Sequence, residues 1–244
     1  MRIFVLVLVC ISVCSLSHSQ DKPAASDTKN KPAVASVKPG INDNFLDPDL
    51  KVDEWIARFE VESREVYQAR DAVMAACDVK PGDAVADVGA GTGLYTRLFS
   101  KAVGDSGKVY AVDISPKFVQ HLDAQIKEAG NKNITTVLCT SKSTMLPPSS
   151  VDLVYVCDTY HHFEFPAATL ASIYRALKPG GRLVVIDFDR IEGKSRDWLI
   201  THVRAGKATF RDEIKSAGFS LKKDVDIESF DENYFLMFEK PASN

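Results

Sequence analysis

From about residue 80 onward, short apolar runs alternate with stretches of helical period, and this alternation leaves the chain few possible folds. "AVADV" (84–88), "KVYAVD" (108–113), "ITTVLC" (134–139), "VDLVYVC" (151–157) and "RLVVIDF" (182–188) read as strands. Between them lie amphipathic segments carrying Leu94, Leu98 and Ala102, then Phe118, Val119, Leu122 and Ile126, then Leu170, Ile173 and Leu177. Continuous apolar strands separated by helices predict a parallel sheet covered on both faces. After a helix over about 207–217, "FSLKKDVDI" and "NYFLMFEK" follow with only a short loop between them, which predicts an antiparallel pair. The expected fold is therefore α/β and doubly wound.

The amino-terminal residues follow a different pattern. Met1-Arg2 precedes "IFVLVLVCISVCSL", an apolar run shorter than the roughly 20 residues of a membrane-spanning helix. Small residues at Ser17 and Ser19 suit cleavage before Gln20, so residues 1–19 read as a signal peptide and the protein as exported, periplasmic or secreted. An uncleaved leader acting as a membrane anchor is the alternative. Residues 20–44 are rich in Pro, Ala, Ser, Lys and Asn and read as a flexible tether, leaving 45–244 as the folded domain. Within that domain, Trp55, Phe59, Val66, Val73 and Cys77 are spaced by four and seven residues, which predicts one long helix over 53–77. Without the leader, Cys77, Cys139 and Cys157 remain. None has metal-knuckle or redox spacing, and all three are expected to be small buried side chains. A net charge of −3 over 244 residues gives no sign of a nucleic-acid surface.

The chemistry concentrates in "VADVGAGTG" (85–93), where glycines follow the first strand and open a helix. Such a turn brings backbone close to a ligand at the carboxyl end of the sheet. A dinucleotide fingerprint would need a third glycine where Leu94 stands, which disfavours a dehydrogenase. Asp87 ahead of the glycines suits a ligand with a positive amino group. Asp113, ending the next strand, suits the two hydroxyls of a ribose.

"VADVGAGTG", "VYAVDISP", "VDLVYV", "YHHF" and "LKPGGRLVVIDF", in that order, resemble class I S-adenosylmethionine-dependent methyltransferases over about residues 55–240. The likeness is nearest to the branch of small-molecule, quinone-type and arsenite-type enzymes. It implies a Rossmann-like, seven-stranded sheet with an antiparallel last strand. It also implies that Asp87, Gly89, Gly91 and Gly93 hold the methionine part of the cofactor and Asp113 its ribose. Many relatives carry an acid after the third strand. Here Thr140 and Ser141 stand in that place and are expected to serve the adenine end. Only Cys157 lies near the reacting rim, which counts against an arsenite-type substrate.

"CDTYHHFEF" (157–165) leaves the fourth strand at that rim, making Asp158, Tyr160 and His161 the candidate catalytic residues. Methyl transfer needs alignment, and a base only where the acceptor loses a proton. Adjacent histidines chelate poorly and no further ligand motif accompanies them, so no metal site is expected. The reading is an enzyme methylating a small-molecule acceptor. Its rival is an exported, catalytically degenerate homologue that only binds the cofactor.

Overall fold

The computed structural model describes residue 1 and residues 34–242. The proposed leader, and the tether up to residue 33, thus fall outside the described residues apart from Met1 itself. Ahead of the sheet come four short helices: α1 (Asp43–Leu46), α2 (Val52–Phe59), α3 (Glu65–Gln68) and α4 (Arg70–Cys77). Then β1 (Ala84–Val88), α5 (Leu94–Val103), β2 (Lys108–Asp113), α6 (Pro116–Ala129), β3 (Ile134–Leu138) and β4 (Val151–Cys157) alternate as the sequence predicts. A 3-10 turn at Tyr160–His162 leads to α7 (Pro166–Ala176), β5 (Leu177–Phe188), α8 (Asp197–His202), α9 (Lys207–Ser216), β6 (Ser220–Val225) and β7 (Asn233–Glu239).

The strands form a seven-stranded sheet in the order β3-β2-β1-β4-β5-β7-β6. β1 to β5 are parallel, and β7 runs antiparallel to both β5 and β6. Alternate residues of each strand serve opposite faces. Ala86, Val88, Val154 and Val156 join a core with Leu170 and Ile173 of α7 and with Phe210 and Ile214 of α9. Val85, Leu153 and Tyr155 join a second core with Val73 and Cys77 of α4, with Tyr95 and Phe99 of α5, and with Leu122 of α6. The strand order reverses between β1 and β4. At this switch point an open α/β sheet leaves a crevice beyond its carboxyl ends.

Local signals account for the helix ends. Ser115 caps α6 by accepting the Phe118 N–H, Pro116 occupies its first turn, and Gly130 closes it at φ 65°.

Two expectations need correction. The stretch 53–77 is not one helix, because its two halves bury their apolar residues against different partners. Trp55 and Phe59 pack on Phe118, whereas Val66, Val73 and Cys77 enter the core. Between the halves Arg64 is drawn to Asp158, and the Glu65 carboxylate accepts the N–H groups of Glu232 and Asn233 at 2.9 Å. Nor are residues 34–44 a free tether. The Val37 N–H donates to the Glu164 carbonyl (2.9 Å), Lys38 Nζ donates to the carbonyls of Thr201 and His202, and the Asn42 amide donates to the His162 carbonyl (3.1 Å). Short polar side chains and backbone make these bonds, and hydrophobic periodicity does not register them.

Candidate active site

A cavity of about 720 Å³ opens at the switch point, bordered by the β1–α5 turn, the end of β2, the β3–β4 loop and the turn after β4. The glycines of the turn have separate tasks. Gly89 stands at φ 79°, and a Cβ there would lie 2.3 Å from Thr159 Oγ1. Gly91 stands at φ 53° and presents its backbone N–H to Asp113 Oδ2 at 2.8 Å. Gly93 departs from its expected role. It caps α5 at φ 85°, and a Cβ there would meet Leu122 Cδ2 at 2.6 Å, so this glycine lets α5 and α6 approach and does not border the cavity.

Asp87 and Asp113 both border the cavity and are almost fully buried. Asp87 accepts the Thr96 hydroxyl at 2.6 Å, and burial pushes its carboxyl up to about 7. Asp113 is tied at both oxygens, Oδ1 accepting the Ser115 N–H at 2.8 Å. Burial raises it to about 6, against the pull of its backbone hydrogen bonds. Each oxygen has a second lone-pair site, so the carboxylate is fixed in direction yet still able to accept ligand hydroxyls. Thr140 and Ser141 also border the cavity, in a tight loop closed by the Thr140 N–H donating to the Ser143 carbonyl (3.0 Å).

At the other end the walls are aromatic. Phe45 and Trp55 stand 4.8 Å apart between ring centroids, Trp55 and Phe59 5.1 Å, and Trp198 stacks on His202 at 4.9 Å.

The three candidate catalytic residues part company here. Asp158 borders the cavity at φ 46°, but its carboxylate is engaged by Arg64 and by the Asn233 amide (2.7 Å). Burial raises its pKa despite the guanidinium. It anchors the start of α3, which Arg64 immediately precedes, to the rim. Tyr160 is turned away from the cavity, correcting its assignment. Its ring lies in the core against Phe163 and Phe210, and its hydroxyl donates to Glu213 Oε2 at 3.0 Å. In a 3-10 turn consecutive side chains point about 120° apart, so only some of the YHH triplet can face one way.

His161 does face the cavity. Asp187, wholly buried at the end of β5, accepts the His161 N–H at Oδ2 (3.0 Å) and the Phe188 N–H at Oδ1 (2.8 Å). With both carboxylate oxygens taking backbone donors, the 2.7 Å contact between Oδ1 and His161 Nδ1 is donation from the imidazole. This leaves the Nε2 lone pair free. His162 and His202 also reach the cavity, the latter from the end of α8. Nothing in "DWLITHVR" announces His202. A lone histidine without motif spacing becomes visible only when the chain folds.

Residues 86–185 match the family model described as a methyltransferase domain. This match coincides with the glycine turn, Asp113 and the rim after β4. Over these residues the chain is similar to methyltransferase domains. The chain is 32% identical over 118 residues to the ubiquinone/menaquinone biosynthesis C-methyltransferase UbiE of Burkholderia vietnamiensis, covering 48% of each chain. It is 32% identical over 114 residues to that of Hydrogenovibrio crunogenus, covering 46% of this chain and 45% of the relative. The chain thus spans about half the length of the curated relatives it matches. A crystal structure of an S-adenosylmethionine-dependent methyltransferase from Aquifex aeolicus superposes with a TM-score of 0.67 at 24% identity, over 78% of this chain and 98% of that one. The Haemonchus contortus phosphoethanolamine N-methyltransferase 2, in complex with phosphomonomethylethanolamine and S-adenosylhomocysteine, gives 0.66 at 18% identity, over 81% of this chain and 59% of that one. Both likenesses place the fold.

Proposed function

We propose that this protein transfers the methyl group of S-adenosylmethionine to a small-molecule acceptor. The observation that carries the reading is one continuous cavity, with Asp113 and Gly91 hydrogen-bonded at one end and His161 oriented by Asp187 at the other. Asp113 would take the ribose, Asp87 the amino group, and Thr140 and Ser141 the adenine side. When bound, S-adenosylmethionine would supply the methyl group, its S–CH3 bond breaking as the acceptor's bond to carbon forms, with S-adenosylhomocysteine and, from a protonated acceptor, one proton as the other products. His161 is the side chain placed to act on that proton, and the aromatic walls favour a largely apolar acceptor. The names of the quinone-modifying relatives are consistent with such a molecule.

Calorimetry with S-adenosylhomocysteine, S-adenosylmethionine and NAD tests the cofactor, and S-adenosylhomocysteine release over a panel of phenols, quinols and thiols tests the acceptor. Tight binding of the first two ligands is expected; preference for NAD would overturn the reading. We also propose that residues 1–19 form a cleaved export leader. Intact mass of the chain made in a cell with an export system should then begin at Gln20, and a retained Met1 would overturn this.

A further inference from the structure

We propose that His161, His162 and His202 bind a divalent transition-metal ion of the zinc class, with its open coordination position facing the methyl acceptor. The proposal rests on the reading of the cavity as a methyl-transfer site, but its geometry is independent of that reading. One nitrogen from each of the three imidazoles lies within 4.8 Å of the others. Two of them, Nε2 of His162 and Nε2 of His202, are 3.4 Å apart. A tetrahedral site with zinc–nitrogen bonds of about 2.0–2.1 Å has an edge of about 3.3 Å. The pair is therefore already at ligand spacing, and a small rotation of His161 completes the face.

Hydrogen bonding gives the cluster little reason to exist without a cation. His162 Nδ1 is buried without a hydrogen-bond partner, and Nε2 of the same ring lies against a second imidazole nitrogen. The third ligand is oriented from behind. Asp187 fixes His161 Nδ1–H and directs Nε2 outward, the carboxylate–histidine arrangement that commonly supports a metal ligand. The buried carboxylate also supplies the negative charge that an ion on three neutral ligands needs. The Lys38 ammonium is directed onto the Thr201 and His202 carbonyls. No protein carboxylate or thiolate belongs to the three-residue cluster, and all its members border the cavity. A ligand set of three histidines with a position open to the reactant is that of a catalytic ion, not of a closed structural one. As a ligand, His161 would not take the acceptor's proton itself; the ion would lower the pKa of the bound group.

The test is titration of metal-free, full-length protein with Co²⁺ and Zn²⁺. Wild type should develop the visible bands of tetrahedral cobalt at one equivalent and lose them when Zn²⁺ is added. H202A, which removes a half-buried side chain at a helix end, should abolish the bands, and D187N should weaken binding about 10- to 100-fold. S-adenosylhomocysteine binding is measured on every variant. If it is retained while the cobalt signal is lost, the variant is folded and the site is assigned. Absence of tetrahedral cobalt in wild type, or equal signals in wild type and H202A, would overturn the metal site while leaving the methyltransferase reading untouched. Failure to bind S-adenosylhomocysteine with cobalt bound normally would do the reverse.

Discussion

Gly89 and Thr159 are in direct steric register: a Cβ on the glycine would stand 2.3 Å from the threonine Oγ1, which itself donates to the Cys157 carbonyl at 2.8 Å. The β1–α5 turn and the turn after β4 are thus packed backbone to side chain. Gly89→Ala should lose more than tenfold in S-adenosylhomocysteine affinity, because the positive φ and the clash both force the turn to move. Gly104→Ala is the control, with a similar φ of 65° and nothing within 4 Å of its Cβ. It should cost only backbone strain, about 1–3 kcal/mol at φ 65° and ψ −170°, and leave affinity unchanged. Equal losses of affinity in the two variants would show that the contact with Thr159 is unimportant.

Asp113→Ala should weaken S-adenosylhomocysteine by roughly 30- to 150-fold, the equivalent of about 2–3 kcal/mol for lost charged hydrogen bonds. The same carboxylates set the pH response, and the sign differs between the empty and the bound protein. In the ligand-free fold, Asp87 at about 7 and Asp113 at about 6 are raised above the unfolded 3.8. Their contribution to stability is therefore complete below that value and is lost as pH rises through about 6 to 7. Ligand binding needs the charged forms, so affinity should fall as pH is lowered through the same window. Calorimetry at pH values spanning it checks this, and a flat affinity profile would exclude both aspartates from the binding site.

Tyr160→Phe and His161→Ala separate neighbours that the sequence alone cannot distinguish. The tyrosine hydroxyl donates to Glu213, which Arg204 still pairs at both oxygens, so Tyr160→Phe should cost about 1 kcal/mol of stability and leave turnover within twofold. His161→Ala should reduce methyl transfer by about 10²-fold or more with little change in S-adenosylhomocysteine affinity. A turnover loss in the tyrosine variant as large as in the histidine variant would contradict the burial of Tyr160.

Arg64→Ala should destabilise more than an ordinary surface substitution. It leaves the Asp158 carboxylate, with a side chain 9% exposed, facing only the Asn233 amide. Breaking a fully buried pair costs about 3–5 kcal/mol, and the partial exposure of the arginine brings the expectation to roughly 2–3 kcal/mol. Urea denaturation with an unchanged midpoint would remove Asp158 from its anchoring role.

The sheet was readable because its central strands β1 and β4 are apolar on both faces and because α6 carries an ordinary cap. β1, β2 and β4 fall on the runs read from the sequence, and Ser115, Pro116 and Gly130 act as their types predict. The missed features share a different cause. Spacing puts Trp55 and Val66 on one helical face, but it is silent on whether that face meets a core or a cavity. The segment at 34–44 is held by Asn42, Lys38 and main-chain atoms, so its polar composition looked like a tether. His202 joins His161 only through the return of the chain along α8. Thus the residues read from the contiguous β1-α5-β2 unit, apart from Gly93, border the cavity. Of the aromatic end, assembled from distant segments, the sequence offered His161 and Asp158 but not His202 or the walls from residues 41–59.

The bond from the Val37 N–H to the Glu164 carbonyl has a temporal consequence. The segment that walls the acceptor end is made early by the ribosome, yet its partners lie more than a hundred residues downstream. It must wait for the sheet through β4 and for the turn beyond it, and its loop-closure entropy is among the largest in the domain. The cofactor crevice should therefore assemble first and its roof last. In partial unfolding the order reverses, and a protein that has shed only this strap would keep the glycine turn and Asp113 in place while opening the aromatic end of the cavity to water.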